Sequence, residues 1–143
     1  MICLDTNAAI AILRGKPPAL LDRVRVEAPR NELALSAIAL FELQYGVAKS
    51  PRRMENAERL KLFLRAPIAI LPFDAEDAEE AGDIRAELQR KGKPIGPYDL
   101  LIAAQARRRS ALLVTANTRE FSRVPKLMIE NWEKATLPRP ENR

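Results

Sequence analysis

Histidine is absent from this chain, and its absence excludes several kinds of catalytic site. Acid–base pairs that use imidazole, nucleophilic triads that contain histidine and the common zinc sites all need that side chain. A hydrolase with this sequence must therefore use carboxylates. Carboxylates usually act in hydrolysis through a hard metal ion that prefers oxygen ligands.

Cysteine, glycine and long apolar runs are also scarce. The single cysteine, Cys3, excludes an internal disulfide, and its apolar segment predicts a core side chain rather than a reactive thiol. The five glycines form neither GxxxxGK[ST] nor GxGxxG, so these phosphate-binding loops are excluded. No apolar run approaches the roughly 20 residues that span a bilayer, and an acid at position 5 does not fit a signal peptide. We expect a cytoplasmic protein with no membrane partner.

The composition is that of one globular domain. Of the 143 residues, 47% are hydrophobic and 30% are charged. We expect a single domain over residues 1–135 and a polar, frayed tail over residues 136–143. The 24 Lys and Arg exceed the 19 Asp and Glu, which favours a polyanionic partner, either nucleic acid or an acidic protein. The run Arg107 to Arg109 fits two roles equally, a helix C-terminus or a phosphate contact.

Short apolar segments alternate with helical ones along the chain. This order predicts an α/β fold, a three-layer α/β/α domain with a mostly parallel central sheet of about five strands. The predicted strands cover residues 1–5, 32–36, 68–73, 111–117 and 126–132. In such sheets ligands bind outside the carboxyl ends of the strands, so a site is expected at that edge.

Polar residues follow the predicted strands at this edge. Asp5 ends the first strand and Asn117 follows the fourth, while Asp99 can join them from the start of a helix. Asp99 has a structural explanation as well, because a carboxylate in the first helical turn is stabilised by the helix dipole by ~0.3–1 kcal/mol. Glu42 lies in a helix beside small residues. Two roles fit this position equally, a glutamate that points into solvent or a carboxylate that belongs to the site.

Bringing Asp5, Glu42 and Asp99 together requires a compensating charge. At ~5 Å separation and an effective dielectric constant near 20, each pair of carboxylates repels by ~3 kcal/mol. Such a cluster must bind protons or a cation. Mg²⁺ is the suitable ion, and phosphate esters are its usual substrates in hydrolysis, which would also give the basic surface a role in holding a nucleic-acid backbone.

Four ordered segments resemble the motifs of PIN-domain ribonucleases, and above all VapC-type toxins of bacterial toxin–antitoxin pairs. The segments are CLDTN, ALSAIALFELQYGVAKS, GKPIGPYDLLIAAQA and LLVTANTREFSRVPKLMIENW, and the resemblance covers essentially the whole chain. It implies a PIN-like domain and an Mg²⁺-dependent endoribonuclease in which Mn²⁺ can substitute. By this resemblance Asp5 and Asp99 are the principal metal ligands. Glu42 completes the catalytic site as a ligand, directly or through water, or orients the attacking water.

The fourth acidic place of the family has two candidates here. Many relatives have Asp where this chain has Asn117, whose amide oxygen can coordinate a metal but adds no charge. Glu120, three residues later, can supply the missing carboxylate as a catalytic residue.

Neighbouring polar residues are predicted to line the pocket, each with a structural alternative. Thr6 and Asn7 could fix the Asp5 carboxylate or meet a phosphate, or they could cap a helix. Thr115 could line the pocket or simply favour a strand. Tyr98 could stack on a base or pack against the protein.

The resemblance also implies partners. These are a cognate VapB-like, DNA-binding antitoxin, an RNA substrate, a homodimer and a larger complex with the antitoxin, and the amphipathic helix over residues 52–65 offers a compatible surface. Close relatives imply initiator tRNA as one target.

A haloacid-dehalogenase-type phosphatase is excluded because Asn7 stands where its second acid is needed. The remaining alternative is a non-catalytic RNA- or protein-binding module with purely structural acids.

Overall fold

One parallel sheet organises the part of the chain that the computed structural model describes, residues 1–134. Its strands are β1 (Ile2–Leu4), β2 (Leu33–Ser36), β3 (Ile68–Leu71), β4 (Leu112–Val114) and β5 (Met128–Glu130). They lie in the order β3-β2-β1-β4-β5, and every neighbouring pair is parallel. The predicted α/β class and five-stranded sheet are confirmed, and the sheet is fully parallel within these residues.

Helices connect all the strands. They are α1 (Thr6–Arg14), α2 (Pro18–Glu27), α3 (Ala37–Lys49), α4 (Arg53–Arg65), α5 (Ala75–Arg90), α6 (Pro97–Arg108) and α7 (Thr118–Phe121). The chain moves outward from β1 to β3, then crosses back to β4 on the other side of β1. Right-handed crossovers therefore place the connections before β3 on one face of the sheet and those after it on the other.

Side-chain caps start the main helices where the sequence predicts them. Ser36 accepts a hydrogen bond from the Ile38 N–H at the start of α3. Asp74 and Asp77 form a reciprocal capping box at the start of α5. Gly15 ends α1 at a φ of 71°, a left-handed conformation that glycine adopts without strain.

The strands are shorter than predicted, most clearly at β5 and β4, and at β4 the cause is visible. The segment was expected to stay extended to residue 117, but the strand ends at Val114. The reason is local, because the Thr115 hydroxyl accepts a hydrogen bond from the Asn117 N–H at 2.9 Å and turns the chain out of the sheet.

The core lies on the central strands. All residues of β1 and β2 are buried, as a parallel sheet covered on both faces requires. Cys3 belongs to this core, and burial raises the pKa of its thiol to about 11. Cys3 is therefore an unreactive core residue, as predicted.

The three consecutive arginines at the end of α6 bind the protein itself. Arg107 donates to Glu80 at 2.6 Å, while Arg108 and Arg109 donate to one oxygen of Asp77 at 2.7 and 2.9 Å. These contacts join α6 to α5 and support the structural role predicted as one of two alternatives. The phosphate contact is disfavoured because the guanidinium groups already have carboxylate partners.

Asp77 carries the charge at the centre of this network and is fully buried. Burial alone would raise its pKa. Hydrogen bonds from Arg109, Arg108, the Asp74 N–H and Gln105 outweigh that effect and hold the pKa of Asp77 well below its usual range.

No helix within residues 1–134 is long and apolar enough to cross a membrane. The expected tail, residues 136–143, lies outside the described residues, and the domain boundary at 135 stays a prediction.

We expect Asp77→Ala to lower the free energy of unfolding at pH 7 by about 3 kcal/mol, because it leaves two arginines without their buried partner. Since the native pKa is depressed, this contribution is complete above the usual carboxyl range and is lost as the pH falls toward the native pKa. Urea denaturation at pH 7 and pH 3 measures the difference. Glu76→Ala removes an exposed partner of Arg108 and should cost less than about 1 kcal/mol. Equal effects of the two variants would contradict the burial argument.

Candidate active site

The strand order reverses between β1 and β4, and the crevice at their carboxyl ends is where doubly wound sheets bind ligands. The two strand ends are adjacent, since the Asp5 N–H donates to the Val114 carbonyl at 3.1 Å. The candidate residues come to this point from β1, β4, α3, α6 and α7.

Asp5 is buried at the end of β1, with 3% of its surface exposed. Its Oδ1 accepts a hydrogen bond from the Ala8 N–H at 2.7 Å, so Asp5 itself caps α1. Burial raises the pKa of Asp5, against hydrogen bonds from the Thr115 hydroxyl and the Ala8 N–H that lower it. Thr115 also accepts from the Asn117 N–H, so it links the end of β4 to Asp5, and its place in the pocket lining stays a prediction.

Glu42 is held by Thr6 across the crevice. The Thr6 hydroxyl donates to Glu42 Oε1 at 2.7 Å, joining the first turn of α1 to the middle of α3. Glu42 therefore faces the end of β1, and the alternative of a freely solvated glutamate is wrong. The alternative of Thr6 as a helix cap is wrong as well, because Asp5 caps α1. Asn7 is exposed and lines an open groove that lies beside the site.

Asp99 is the third residue of α6, which begins at Pro97 after an N-cap at Gly96. Burial, together with the negative charges of Glu120, Asp5 and Glu42, raises the pKa of Asp99 from its ordinary 3.8 to about 6. Asp99 thus interacts electrostatically with every acid predicted for the site. The helix start explains the backbone position of Asp99, but it does not explain why three other acids lie near its carboxylate.

Glu120 and Asn117 form a hydrogen-bonded pair. The Asn117 side-chain amide donates to Glu120 Oε2 at 2.7 Å, and the Gly96 N–H donates to Oε1 at 2.6 Å. These bonds lower the pKa of Glu120, so it stays ionised next to Asp99. The two candidates for the fourth acidic place therefore act on each other, and Glu120 is also tied to the start of α6.

The backbone of Gly96 lies close to both Asp99 and Glu120. A Cβ at this position would lie 3.5 Å from Asp99 Oδ2 and 3.6 Å from Glu120 Oε1, which is ordinary van der Waals contact. Both carboxylates therefore approach the same bare stretch of backbone.

The donor set of the site suits a hard divalent cation. All of its ligand atoms are oxygens, and the raised pKa values of Asp5 and Asp99 show carboxylates that are costly to ionise together. Within residues 1–134, no three Asp, Glu, Cys or His side chains form a ready metal cage. Mg²⁺ usually keeps several waters and binds one or two carboxylates directly, so such a cage is not required.

Sequence reasoning missed two participants. The charge of Glu133 raises the pKa of Asp5, and the Gly96 N–H holds Glu120. Glu133 carried a usable signal, because it follows β5 at the same carboxyl edge as the other acids. The role of Gly96 had no comparable signal, because it depends on a contact between residues 24 positions apart.

A family model described as PIN domain matches residues 2–127, most of the chain and all of the site described above except Glu133. The chain belongs to the PIN-domain family. The predicted family is thereby confirmed.

This PIN domain is similar to named ribonucleases over nearly their whole length. It is 41% identical to ribonuclease VapC2 of Rickettsia felis, over 92% of this chain and 97% of that protein. It is 40% identical to the tRNA(fMet)-specific endonuclease VapC of Shigella flexneri, over 90% and 96%. Its fold matches a chain in the crystal structure of VapBC2 from Rickettsia felis bound to a promoter DNA fragment, with a TM-score of 0.87, 40% identity and coverage of 92% and 99%.

We expect Glu120→Gln to weaken Mg²⁺ binding by about tenfold, and Asn117→Ala to weaken it less. The glutamine keeps an acceptor for the Gly96 N–H but removes the charge, whereas Asn117→Ala removes only a hydrogen bond to Glu120. Isothermal titration with Mg²⁺ measures both affinities. Comparing Glu120→Gln with Glu120→Ala separates the two functions of Glu120, because the glutamine variant loses only the charge whereas the alanine variant loses the charge and the hydrogen bond together. An equal or larger effect of Asn117→Ala would assign the fourth place to Asn117.

Asp99 should make the metal-free protein less stable at neutral pH. Its pKa is about 6 when folded and 3.8 ordinarily, so the folded state binds more protons between these values and stability falls as the pH rises through them. We expect Asp99→Asn to raise the Tm in EDTA at pH 7.5 and to change it little at pH 4.

Thermal denaturation with and without Mg²⁺ tests this expectation. The cation should raise the Tm of the wild type at pH 7.5 more than that of Asp99→Asn, since it binds the native site. Asp83→Asn, at an exposed carboxylate of α5, is the matched control and should behave as the wild type. If the Tm of Asp99→Asn depended on pH in the same way as the Tm of the wild type, the destabilising effect of the Asp99 charge would be contradicted.

Proposed function

We propose that this PIN domain is an Mg²⁺-dependent endoribonuclease, the toxin of a toxin–antitoxin pair, which hydrolyses RNA phosphodiester bonds and so inhibits translation. The observation that carries the proposal is the electrostatic coupling of Asp99 to Asp5, Glu42 and Glu120 at the topological switch point of the sheet. The chain has no histidine, and its fold brings carboxylates together at this point despite their mutual repulsion. A metal-dependent reaction on a phosphate ester explains this arrangement.

Each acid has a distinct role in the proposal. Asp5 and Asp99 hold the metal directly, because both are partly desolvated and both gain from a neighbouring cation. Glu42, kept in place by the Thr6 hydroxyl, binds the ion directly or through water, or orients the attacking water. Glu120 adds negative charge next to Asp99. Mg²⁺, with Mn²⁺ as a substitute, supplies polarisation of the phosphate and a more acidic bound water.

The proposed substrate and partners follow from the relatives. The Shigella flexneri relative is named for tRNA(fMet), which supports a tRNA, such as initiator tRNA, as the target. The Rickettsia felis structure is a VapBC2 assembly on promoter DNA, which supports a VapB-like antitoxin that binds DNA. We also propose a homodimer that joins the antitoxin in a larger complex. The excess of basic residues suits the RNA backbone.

We expect the purified, antitoxin-free protein to cut RNA in Mg²⁺ or Mn²⁺ and to stop in EDTA. Asp5→Asn and Asp99→Asn should each reduce the rate at least about 100-fold, because each removes charge where the metal binds. Asparagine can still accept the hydrogen bond that caps α1, so the Asp5 variant should keep its fold. Gel analysis of a labelled RNA measures the rates, with Asp83→Asn as the control.

Two outcomes would overturn the proposal. One is cleavage that continues without a divalent metal. The other is a wild-type protein that binds RNA without cutting it and is unaffected by either substitution, which is the behaviour of a non-catalytic binding module. Sequencing of RNA ends after brief expression in cells identifies the target.

A further inference from the structure

The loop between α5 and α6, residues 91–96, leads directly into the helical turn that carries Asp99. Pro94 and Pro97 have no N–H to donate, and α6 begins after Gly96 without a side-chain cap. The Gly96 carbonyl accepts a hydrogen bond of the first helical turn, from the Leu100 N–H at 2.9 Å. Contacts that hold Gly96 therefore also fix the start of α6 and, with it, the position of Asp99.

Two side chains from the end of α7 bond to this loop. The Gly96 N–H donates to Glu120 Oε1 at 2.6 Å, and Arg123 Nη1 donates to the Pro94 carbonyl at 2.8 Å. The Arg123 N–H donates to the Glu120 carbonyl at 3.1 Å, so the two side chains leave one helical turn three positions apart and face the same side. They hold the loop at two points, two residues apart.

The turn that carries these two side chains is anchored in the core. Phe121 is fully buried and Val124 is 3% exposed, and both belong to the hydrophobic core. The hydrogen bond from Gly96 and the positive charge of Arg123 both lower the pKa of Glu120, which shows that the guanidinium lies near this carboxylate. The turn is therefore a fixed support to which the loop can be attached.

The loop needs a support because Asp99 is repelled by its neighbours. Its ionised form is disfavoured by burial and by the charges of Glu120, Asp5 and Glu42. A first turn of α6 that was free to move would carry Asp99 away from these acids. An attachment of residues 94–96 to α7 opposes that movement.

We propose that Arg123 is a positioning residue of the active site. Its bond to the Pro94 carbonyl, together with the bond between Glu120 and Gly96, fastens the loop to α7 and keeps Asp99 beside the other acids. Arg123 acts through the loop and not by contact with the RNA or the ion. The consequence for catalysis rests on the proposed function, whereas the attachment of the loop does not.

Amide hydrogen exchange in EDTA, followed by NMR, tests the attachment without metal or substrate. We expect Arg123→Gln to speed exchange of the Gly96 and Leu100 N–H groups about three- to tenfold, the effect of one lost hydrogen bond. The buried amides of β1 and β2 should exchange as in the wild type, because the change is local. Arg123→Lys keeps the charge and one donor, so it should restore most of the protection.

Two further variants are references for the exchange measurement. Glu120→Ala removes the other bond to the loop and should speed exchange of the same two amides. Arg119→Gln is the matched control, because Arg119 is an exposed arginine of α7 whose side chain makes no hydrogen bond within residues 1–134. It should leave the exchange rates unchanged.

Steady-state cleavage of RNA in saturating Mg²⁺ measures the consequence for catalysis. Arg123→Gln should lower kcat about tenfold, as is usual for residues that orient metal ligands, and should change KM less than about twofold. Arg119→Gln should keep the wild-type kcat.

Several results would overturn the proposal. Unchanged exchange at Gly96 in Arg123→Gln would show that the loop does not depend on Arg123, and equal acceleration of all slow amides would show a role in global stability alone. Faster exchange with an unchanged kcat would show that the loop does not position Asp99.

Arg123 would instead be a phosphate contact if Arg123→Gln raised KM and lowered the slope of log K against log salt for RNA binding by about 0.7. A wild type that does not cut RNA would refute the proposed function, while the exchange rates would still decide whether Arg123 holds the loop.

Discussion

The burial and mutual repulsion of carboxylates at the carboxyl edge of the sheet are the constraint on which the rest of the site depends. Asp5 and Asp99 are both harder to ionise than free carboxyls, so the fold holds them together at a cost in stability. The protein limits this cost with donors it already has, namely the free N–H at the start of α1 and the hydroxyl of Thr115. A divalent cation would relieve the remainder, which links metal binding to folding.

The two ends of α6 carry opposite arrangements of charge. Its first turn presents Asp99 to other acids, whereas its last turn fixes Arg108 and Arg109 on the buried Asp77. The second network anchors α6 on α5, and this rigid attachment holds Asp99 in place against repulsion. Contacts at the far end of the helix therefore help to fix the position of Asp99.

Local patterns in the sequence were enough to predict the elements and to select acids that the fold brings together. Each strand has a short apolar segment, Asp5 follows β1 directly and Asn117 lies three positions after the end of β4, so their edge could be predicted. Contacts between distant segments could not be. The bond from Thr6 to Glu42 spans 36 positions, and neither residue alone indicates its partner. The same holds for Glu120, whose hydrogen bond to Gly96 depends on how α7 packs beside α6.

The hydrogen bond between Glu120 and the Gly96 backbone ties the loop before α6 to α7. Glu120 Oε1 accepts from this N–H at 2.6 Å, and a carboxylate oxygen has a second lone pair, so the bond can persist while the same side chain binds a cation. The backbone at the start of α6 therefore positions the Glu120 carboxylate in advance, and filling the site would require little reordering of that segment.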